Sequence, residues 1–395
     1  MKLVIFGELG QGGIADYTHD QASALAARGL DVTVLCSPVY AQERKAAGYE
    51  IVPLLKELRA RAQPRTRMLR RIELGRGILH NVNVLCDFLQ GSSKCDVLTH
   101  FSEYLAPLWA WRLRRLACAG FRFHTVLHDP VRNYQVGPGW WHAWSVREAF
   151  SMMSTAFVHT TEAVNLPSHV RAVSIPYGVH EYPQATRSRV ELRRALGVSE
   201  GKRLIVAFGY IRNDKNLDLL IEAIRDIPDI NLLIAGPEQQ GGNRPIAFYK
   251  ELANRYGCSE RCLWMTKFLT AKDTADVLTA SDLSALAYSR SFVSSSAALS
   301  VTVNYRVPCI VSSGSKSTEA IVKRYNIGIW VEPDSVEAIK AGILTWLRAG
   351  ISADWDGYEG ENSWTRNAEL VHQAMMAARA REQVEQVDED ELSAA

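Results

Sequence analysis

The stretch LIVAFGYIRNDKNLDLLIEAI, residues 204–224, joins two periodicities. LIVAFG is an unbroken apolar run, as expected of a parallel strand covered on both faces, and Leu217, Leu220, Ile221 and Ile224 recur at the spacing of a helix with one buried side. The turn between them holds Arg212, Asp214 and Lys215. Ligands of open parallel sheets gather beyond the carboxyl ends of the strands, so both cations stand where they can meet one. Arginine offers a planar fork and lysine a point charge, a pair suited to a diphosphate above free helix amides. The alternative is two solvated turn residues, one of them paired with Asp214.

Outward from this stretch the same rhythm fills two blocks. LVIFG (3–7), DVTVLC (31–36), DVLTHF (96–101), HTVLH (124–128) and STAFVHT (154–160) read as buried strands of the first, and LIVAFG (204–209), NLLIAG (231–236), DLSALA (282–287) and PCIVSS (308–313) as those of the second. Strands alternating with helices imply parallel sheets with right-handed crossovers, so the expected fold class is α/β with two Rossmann-like, doubly wound domains, 1–180 and 181–360. HEYPQATRSRVELRRALGVSEGKR, between the blocks, reads as a linker followed by one short helix. The acidic end, 381–395, has no apolar period and is expected to be disordered.

Bulk properties narrow the function. A chain of 395 residues is too long for one ordinary core, which agrees with two domains. A net charge of +2 carries no nucleic-acid signature. The seven cysteines form no C-x-x-C pair, so neither zinc nor a disulfide framework is indicated, and a reducing cytoplasm is expected. No apolar run reaches the roughly 20 residues of a membrane span, and the glycine turn after the first strand comes too early for a signal peptide.

Four further segments carry candidate chemistry. In GELGQGGIADYT (7–18), Gly10, Gly12 and Gly13 let a backbone come close to a ligand at the start of a helix near Ile14; an anion site and a plain tight turn both fit. In TVLHDP (125–130), His128 closes a strand and Asp129 precedes a proline that forces an extended exit, leaving the imidazole at the sheet's carboxyl edge. A histidine there is either functional or satisfied by a carbonyl. In SRSFVSSSAALS (289–300), Ser294 is the expected helix N-cap, and Ser295 and Ser296 offer hydroxyls and amides to phosphate oxygens. In GPGWWHAW (137–144), Trp140, Trp141 and Trp144 line an acceptor groove, meet a lipid interface, or pack in the first domain, the core being the expected place. A fifth stretch, KELRARAQPRTRMLRRIELGR (56–76), is basic with interspersed leucines, a membrane-surface pattern interrupted by Pro64 or a merely solvated face.

In this order and spacing the pieces resemble the GT-B glycosyltransferases, in particular the family-4-like glycosyl transferases group 1. The resemblance runs over nearly the whole chain, through LAARGLDVTVL (25–35), LHDP (127–130), IPYGVHE (175–181), FGYIRNDKNLDLLIEAI (208–224), LLIAGPE (232–238), RVPCIVSS (306–313) and ENSWTRNAELVHQAM (361–375). It implies two domains facing across a cleft, with 361–380 a helix that crosses back to the first. The second domain would bind a nucleotide diphosphate sugar and the first a glycan or lipid-linked acceptor. By the resemblance Arg212 and Lys215 hold the diphosphate, and His128 serves the donor sugar. Gly12, Gly13, Gly209, Ser294, Ser295, Ser296, Leu299 and Glu319 complete the donor site, while Asp129, Trp140 and Trp141 are acceptor candidates. The resemblance implies no metal and no cofactor beyond the co-substrate, and retention at the anomeric carbon; envelope or exopolysaccharide assembly is the expected setting, in the cytoplasm, with the inner face of the membrane an alternative that rests on the basic 56–76 segment. One departure stands out: family members carry two glutamates eight residues apart before the late proline, and those slots hold Val293 and Val301. A non-catalytic subunit of the same fold is therefore a second expectation. A sugar-nucleotide epimerase is a third, although the carboxylates it needs are not identifiable.

Overall fold

The computed structural model describes residues 1–44, 48–58, 67–129, 135, 137–160, 164–180, 183–239 and 242–394. The chain divides into two compact units, Met1–Gly178 with Asn362–Ala395, and Val179–Glu361.

The first unit is built on strands β1 (Lys2–Gly7), β2 (Asp31–Cys36), β3 (Glu50–Val52), β4 (Asp96–His100), β5 (Arg122–Leu127), β6 (Met153–Val158) and β7 (Arg171–Ser174). They form one parallel sheet in the order β3-β2-β1-β4-β5-β6-β7. Successive side chains of β1 point to opposite faces, and both faces are covered. Leu3 and Ile5 pack with α1 (Gly13–Ala27) and the terminal helix, whereas Val4 and Phe6 join the cluster under α3 (Arg67–Gln90), α4 (Ala106–Cys118) and α5 (Gly139–Phe150). A short α2 (Pro38–Glu43) follows β2.

The second unit repeats the plan. Strands β8 (Arg203–Phe208), β9 (Ile230–Ala235), β10 (Cys262–Met265), β11 (Leu283–Ala287), β12 (Cys309–Ser312) and β13 (Gly328–Trp330) run parallel in the order β10-β9-β8-β11-β12-β13. Its helices are α6 (Arg189–Ala195), α7 (Leu217–Ala223), α8 (Ile246–Arg255), α9 (Ala271–Ala280), α10 (Ala297–Asn304), α11 (Lys316–Tyr325), α12 (Val336–Ala349) and α13 (Trp355–Glu361). In β8, Leu204, Val206 and Phe208 enter one cluster while Ile205 and Ala207 enter the other. In both units the strand order reverses once, between β1 and β4 and between β8 and β11. The loops that splay apart at such a reversal leave the crevice in which doubly wound sheets bind ligands.

Three expectations are corrected here. The segment read as a linker is fastened to the second unit: Asp276, almost wholly buried, accepts from the Thr186 and Arg187 amides and from the Arg187 guanidinium, and Arg189 and Arg193 both reach Asp282. Its helix α6 opens on a capping box of Ser188 and Glu191. The acidic end is not irregular but continues the last helix, α14 (Trp364–Ala394). Elongating an existing helix needs no new nucleus, and Glu, Gln, Arg and Ala are good helix formers. The tryptophan segment does not lie in the core: Trp140 is 68% exposed and Trp144 is also exposed, the three indoles packing edge to face on one another at the start of α5.

Helix α14 lies on the first unit by an apolar stripe of Ala368, Val371, Ala374, Met375 and Ala378. Polar bonds fix its register. Asn367 donates to Tyr17 Oη at 3.2 Å and to the Pro176 carbonyl at 2.8 Å and accepts from Gln21 at 2.9 Å, while Arg379 binds the fully buried Asp96. Burial pushes the Asp96 carboxyl up, but the bonds from His124 and Arg379 outweigh it and hold it below the usual carboxylate range. His124 also meets Ser154, so serine, histidine and aspartate stand in a row, but at the amino ends of the strands, away from the loops that the fold uses for ligands.

Candidate functional site

In the second unit the site is assembled at the β8–β11 reversal. Strand β8 ends at Phe208, and Gly209, with φ +90°, turns the chain outward. A short 3-10 turn, Asn213–Lys215, follows before the seven-residue α7 begins at Leu217, the first residue of the apolar spacing. The turn sends the Lys215 ammonium back under the sheet edge, where Nζ donates to the Phe208 carbonyl at 2.6 Å. Burial, aided by the neighbouring Arg212 and opposed by Asp214, pushes its pKa down to about 7. A lysine with a pKa so far below its ordinary value exchanges its proton near neutral pH. Arg212 pairs with Asp214 at 2.9 Å, and its guanidinium carbon lies 5.7 Å from the centre of the Phe292 ring. Its Nε is buried without an acceptor among the described residues. Arg212 is thus paired with Asp214 and keeps a donor open.

The loop after β11 faces this turn. The Ser289 amide donates to the Asp214 carbonyl at 2.8 Å and joins the two loops. Tyr288 and Phe292 stack at 4.2 Å, and Ser312, Ser313 and Gly314 pin the loop from behind through the carbonyls of Tyr288 and Phe292. The helix cap is Ser296, not Ser294: its Oγ accepts from the Leu299 amide at 3.1 Å and meets Tyr288 Oη at 2.8 Å. The Leu299 side chain is buried beside it. Ser294 and Ser295 are half-buried in the preceding loop. Glu319 lies in the first turn of α11 and pairs with Lys323 at 2.6 Å. Val301 is buried in the apolar cluster around Val206, Leu233 and Val277, and Val293 Cγ1 lies close to the Gly314 backbone. Neither position presents a carboxylate.

In the first unit Gly12, with φ +88° and ψ −178°, is the N-cap of α1, a backbone state open essentially to glycine. The turn is held from both sides. The Gly10 amide donates to Glu57 Oε2 at 3.0 Å and its carbonyl accepts from Arg44 at 2.8 Å, with Arg44 also paired to Asp16. One amide expected to meet an anion is thus already spent on a protein carboxylate. Glu8, just after β1, has a buried Oε1 without a partner among the described residues. Burial, only partly offset by Asn81, pushes that carboxyl up to about 7.

His128 stands at the end of β5 as expected, half-buried, with Asp129 next to it. It does not stand alone. His100 Nδ1 lies 2.9 Å from His128 Nε2, Thr18 Oγ1 lies 2.7 Å from His100 Nε2, and the His159 and Tyr17 rings are 5.6 Å and 4.7 Å from that of His128. The sequence held the signal: three consecutive strands end in histidine, LTHF, VLHD and FVHT, and parallel register sets their ends side by side. Of the basic stretch 56–76, residues 59–66 with Pro64 lie outside the described residues. Beyond them, Met68 is 72% exposed, and Leu69, Ile72 and Leu74 are exposed too, next to Arg71 and Arg76. Among the described residues no helix is long and apolar enough to cross a membrane, and no group of three or more His, Cys, Asp or Glu side chains is placed to hold a metal.

Residues 188–369 match the family described as glycosyl transferases group 1. No curated protein matches the chain in sequence. Solved structures resemble it over nearly its full length: sucrose-phosphate synthase of Thermosynechococcus elongatus at 16% identity, covering 100% of both chains with a TM-score of 0.64; HepE of Anabaena, in complex with UDP and glucose, at 14%, covering 96% of this chain and 100% of that one with a TM-score of 0.69; and a glycosyltransferase from Rickettsia africae at 14%, covering 95% and 97% with a TM-score of 0.66. The GT-B fold read from the sequence is therefore that of the whole chain, and the resemblance to group 1 is borne out.

The depressed Lys215 gives the site a protonic signature. At pH 8 the free amine is mostly neutral, and a diphosphate beside it favours the ammonium, so binding should take up close to one proton. Calorimetric titration with a nucleoside diphosphate in buffers of different ionisation enthalpy should show that uptake, falling towards zero below pH 6. Binding without uptake at pH 8 would mean that the amine stays away from the anion.

Proposed function

We propose, on the premise that residues 188–369 match group 1 glycosyl transferases, that the chain transfers a sugar from a nucleotide diphosphate donor to a hydroxyl of a glycan or lipid-linked acceptor. The observation that carries the reading is the pair Arg212 and Lys215 at the strand-order reversal of the second sheet, one with an open buried Nε and the other with an ammonium drawn against a carbonyl. As the bond from the anomeric carbon to the diphosphate breaks, negative charge grows on the leaving oxygens. Cations already in place stabilise that charge more than they stabilise the substrate, and this is what accelerates the step. The loop of Ser294, Ser295 and Ser296 adds hydroxyl and amide donors, Gly209 admits the phosphates close to the backbone, and His128 orients the donor sugar. Arginine, lysine and amides together do the work of a metal, so transfer proceeds without one; retention at the anomeric carbon is what the resemblance to group 1 implies. UDP-glucose is the first donor to try, because HepE of Anabaena is described in complex with it.

Incubation with UDP-, GDP- and ADP-sugars should reveal slow hydrolysis of one donor without acceptor. Arg212→Ala and Lys215→Ala should each lower that turnover by about a hundredfold, the usual cost of removing one transition-state donor. Unchanged turnover in both variants would refute the assignment. The buried Val301 in place of a carboxylate favours a second reading, a subunit of this fold without catalysis. Absence of any nucleotide binding in the same panel would select it.

The acceptor side of the proposal places the chain at the cytoplasmic face of a membrane, in envelope or exopolysaccharide assembly. The exposed Met68, Leu69 and Ile72 beside Arg71 and Arg76 support it, since apolar groups enter the interface while cations meet anionic headgroups at about 1 kcal/mol each. Flotation with vesicles containing anionic lipid should carry the wild-type protein, and Met68→Glu with Ile72→Glu should release it. Equal flotation of both would remove the membrane from the account.

A further inference from the structure

The turn that carries Arg212 and Lys215 is fastened to the loops around it on three sides. On the β9 side, the Asn213 amide donates to Asn243 Oδ1 at 3.0 Å and Asn213 Oδ1 accepts from the Arg244 amide at 2.8 Å. On the β11 side, the Asp214 carbonyl accepts from the Ser289 amide at 2.8 Å. The third fastening comes from the loop after β13. Asp334 Oδ1 accepts from Asn216 Nδ2 at 2.9 Å, and Asp334 Oδ2 accepts from the Arg290 amide at 3.0 Å. One carboxylate thus holds, with one oxygen each, the residue that follows Lys215 and the residue that follows Ser289. Together with the Ser289 bond this closes a ring through Asp214, Ser289, Arg290, Asp334 and Asn216.

The ring is tied to the seat of the lysine. Asn216 and Asp334 both stand in the left-handed region, with φ +48° and +62°, which residues with side chains seldom enter and which asparagine and aspartate tolerate best. Asn216 is also buried. Deprived of the carboxylate, its amide must reach water instead, because a buried donor left without an acceptor costs the full desolvation of that group. The turn next to Lys215 then has to open, and water reaches the ammonium now held against the Phe208 carbonyl at 2.6 Å. Arg212 and Asp214, the charges that bear on the lysine, lie on its own turn and stay beside it.

We propose that Asp334 is a positioning residue for sugar transfer, tying the turn of Arg212 and Lys215 to the loop that leads to Ser294, Ser295 and Ser296, so that cations and serine donors meet the diphosphate in one fixed register. The catalytic part rests on the reading under the proposed function; the seating of Lys215 by Asp334 does not. Register matters because groups that stabilise a leaving oxygen do so best when already in place. Two N–H donors approach Asp334 from two loops, and only a carboxylate has an oxygen for each.

The test uses the full chain with isotope-labelled lysine side chains, titrated with pH by NMR without ligand, the Lys215 signal being assigned by Lys215→Arg. The wild-type Lys215 midpoint is expected at about pH 7. Asp334→Gly suits the left-handed backbone and removes the carboxylate without adding strain, while Asp334→Asn keeps the shape but only one acceptor. Both should raise the midpoint by about one pH unit or more as the amine regains water. Glu332→Ala, which removes an exposed ion pair to Arg290 on the same loops, should leave it in place. Should Asp334→Gly fail to fold, Asn216→Gly takes away the donor at the other end of the same bond. In donor hydrolysis the Asp334 variants should lower kcat about tenfold with less change in KM, and Glu332→Ala should keep both. A merely structural aspartate would lower the melting temperature without moving the lysine. A wild-type Lys215 midpoint in the ordinary lysine range, a midpoint indifferent to both Asp334 variants, or an unchanged kcat once the lysine has moved would overturn the proposal. The expected midpoints in a protein that hydrolyses no donor would support the seating of Lys215 and count against the glycosyl-transfer reading alone.

Discussion

The second unit's site depends on a lysine ammonium held against the carbonyl that ends a buried strand. Lys215 Nζ reaches Phe208 past residue 209, whose φ of +90° favours glycine and where a Cβ would crowd the nitrogen at 2.9 Å. The neighbouring strand makes the same demand, since a Cβ on Gly236 would lie 2.2 Å from the Gly209 carbonyl oxygen. Two bare backbones at the ends of β8 and β9 thus let the chain turn tightly, and the turn strips water from the amine. The desolvated amine is a weaker base and a stronger partner for an anion, because the same low-dielectric edge that costs it a proton also strengthens every charge–charge contact made there.

The two units solve the same topological problem with different chemistry. Both sheets reverse their strand order once and both place a glycine turn at the reversal. In the second, the turn is followed by cations with an open donor. In the first, the turn is followed by an amide bound to Glu57, a carbonyl bound to Arg44, and a row of strand-end histidines. The first unit's reversal is thus furnished with imidazole rings and carboxyls, and the second's with an arginine and a lysine.

Much of this was legible in the sequence, and what was not has physical reasons. Central strands such as LIVAFG and NLLIAG announce themselves because both faces are buried and nearly every position is apolar. The edge strands β3, β7, β10 and β13 are three or four residues long and half-open to solvent, so even the apolar CLWM of β10 is too short to read as a strand. Arg212, Lys215 and His128 were readable from their place after a strand. Glu57 and Arg44 were not, since the Gly10 turn they hold lies tens of residues away in the chain. The serine run gave the helix start within two residues, but which serine caps it was decided by Tyr288, which engages Ser296. The tryptophans misled because their area argues for burial while their position, on the first turns of α5, decides for solvent.

The central claim is that this turn recognises two linked phosphates, and the most direct test is a comparison of nucleotides that differ only there. Titration of the protein with UDP, GDP and ADP against UMP, GMP and AMP, at fixed ionic strength, should find one base whose diphosphate binds at least about tenfold tighter than its monophosphate, the worth of one charge-assisted bond. Equal affinity for the two members of every pair would contradict it.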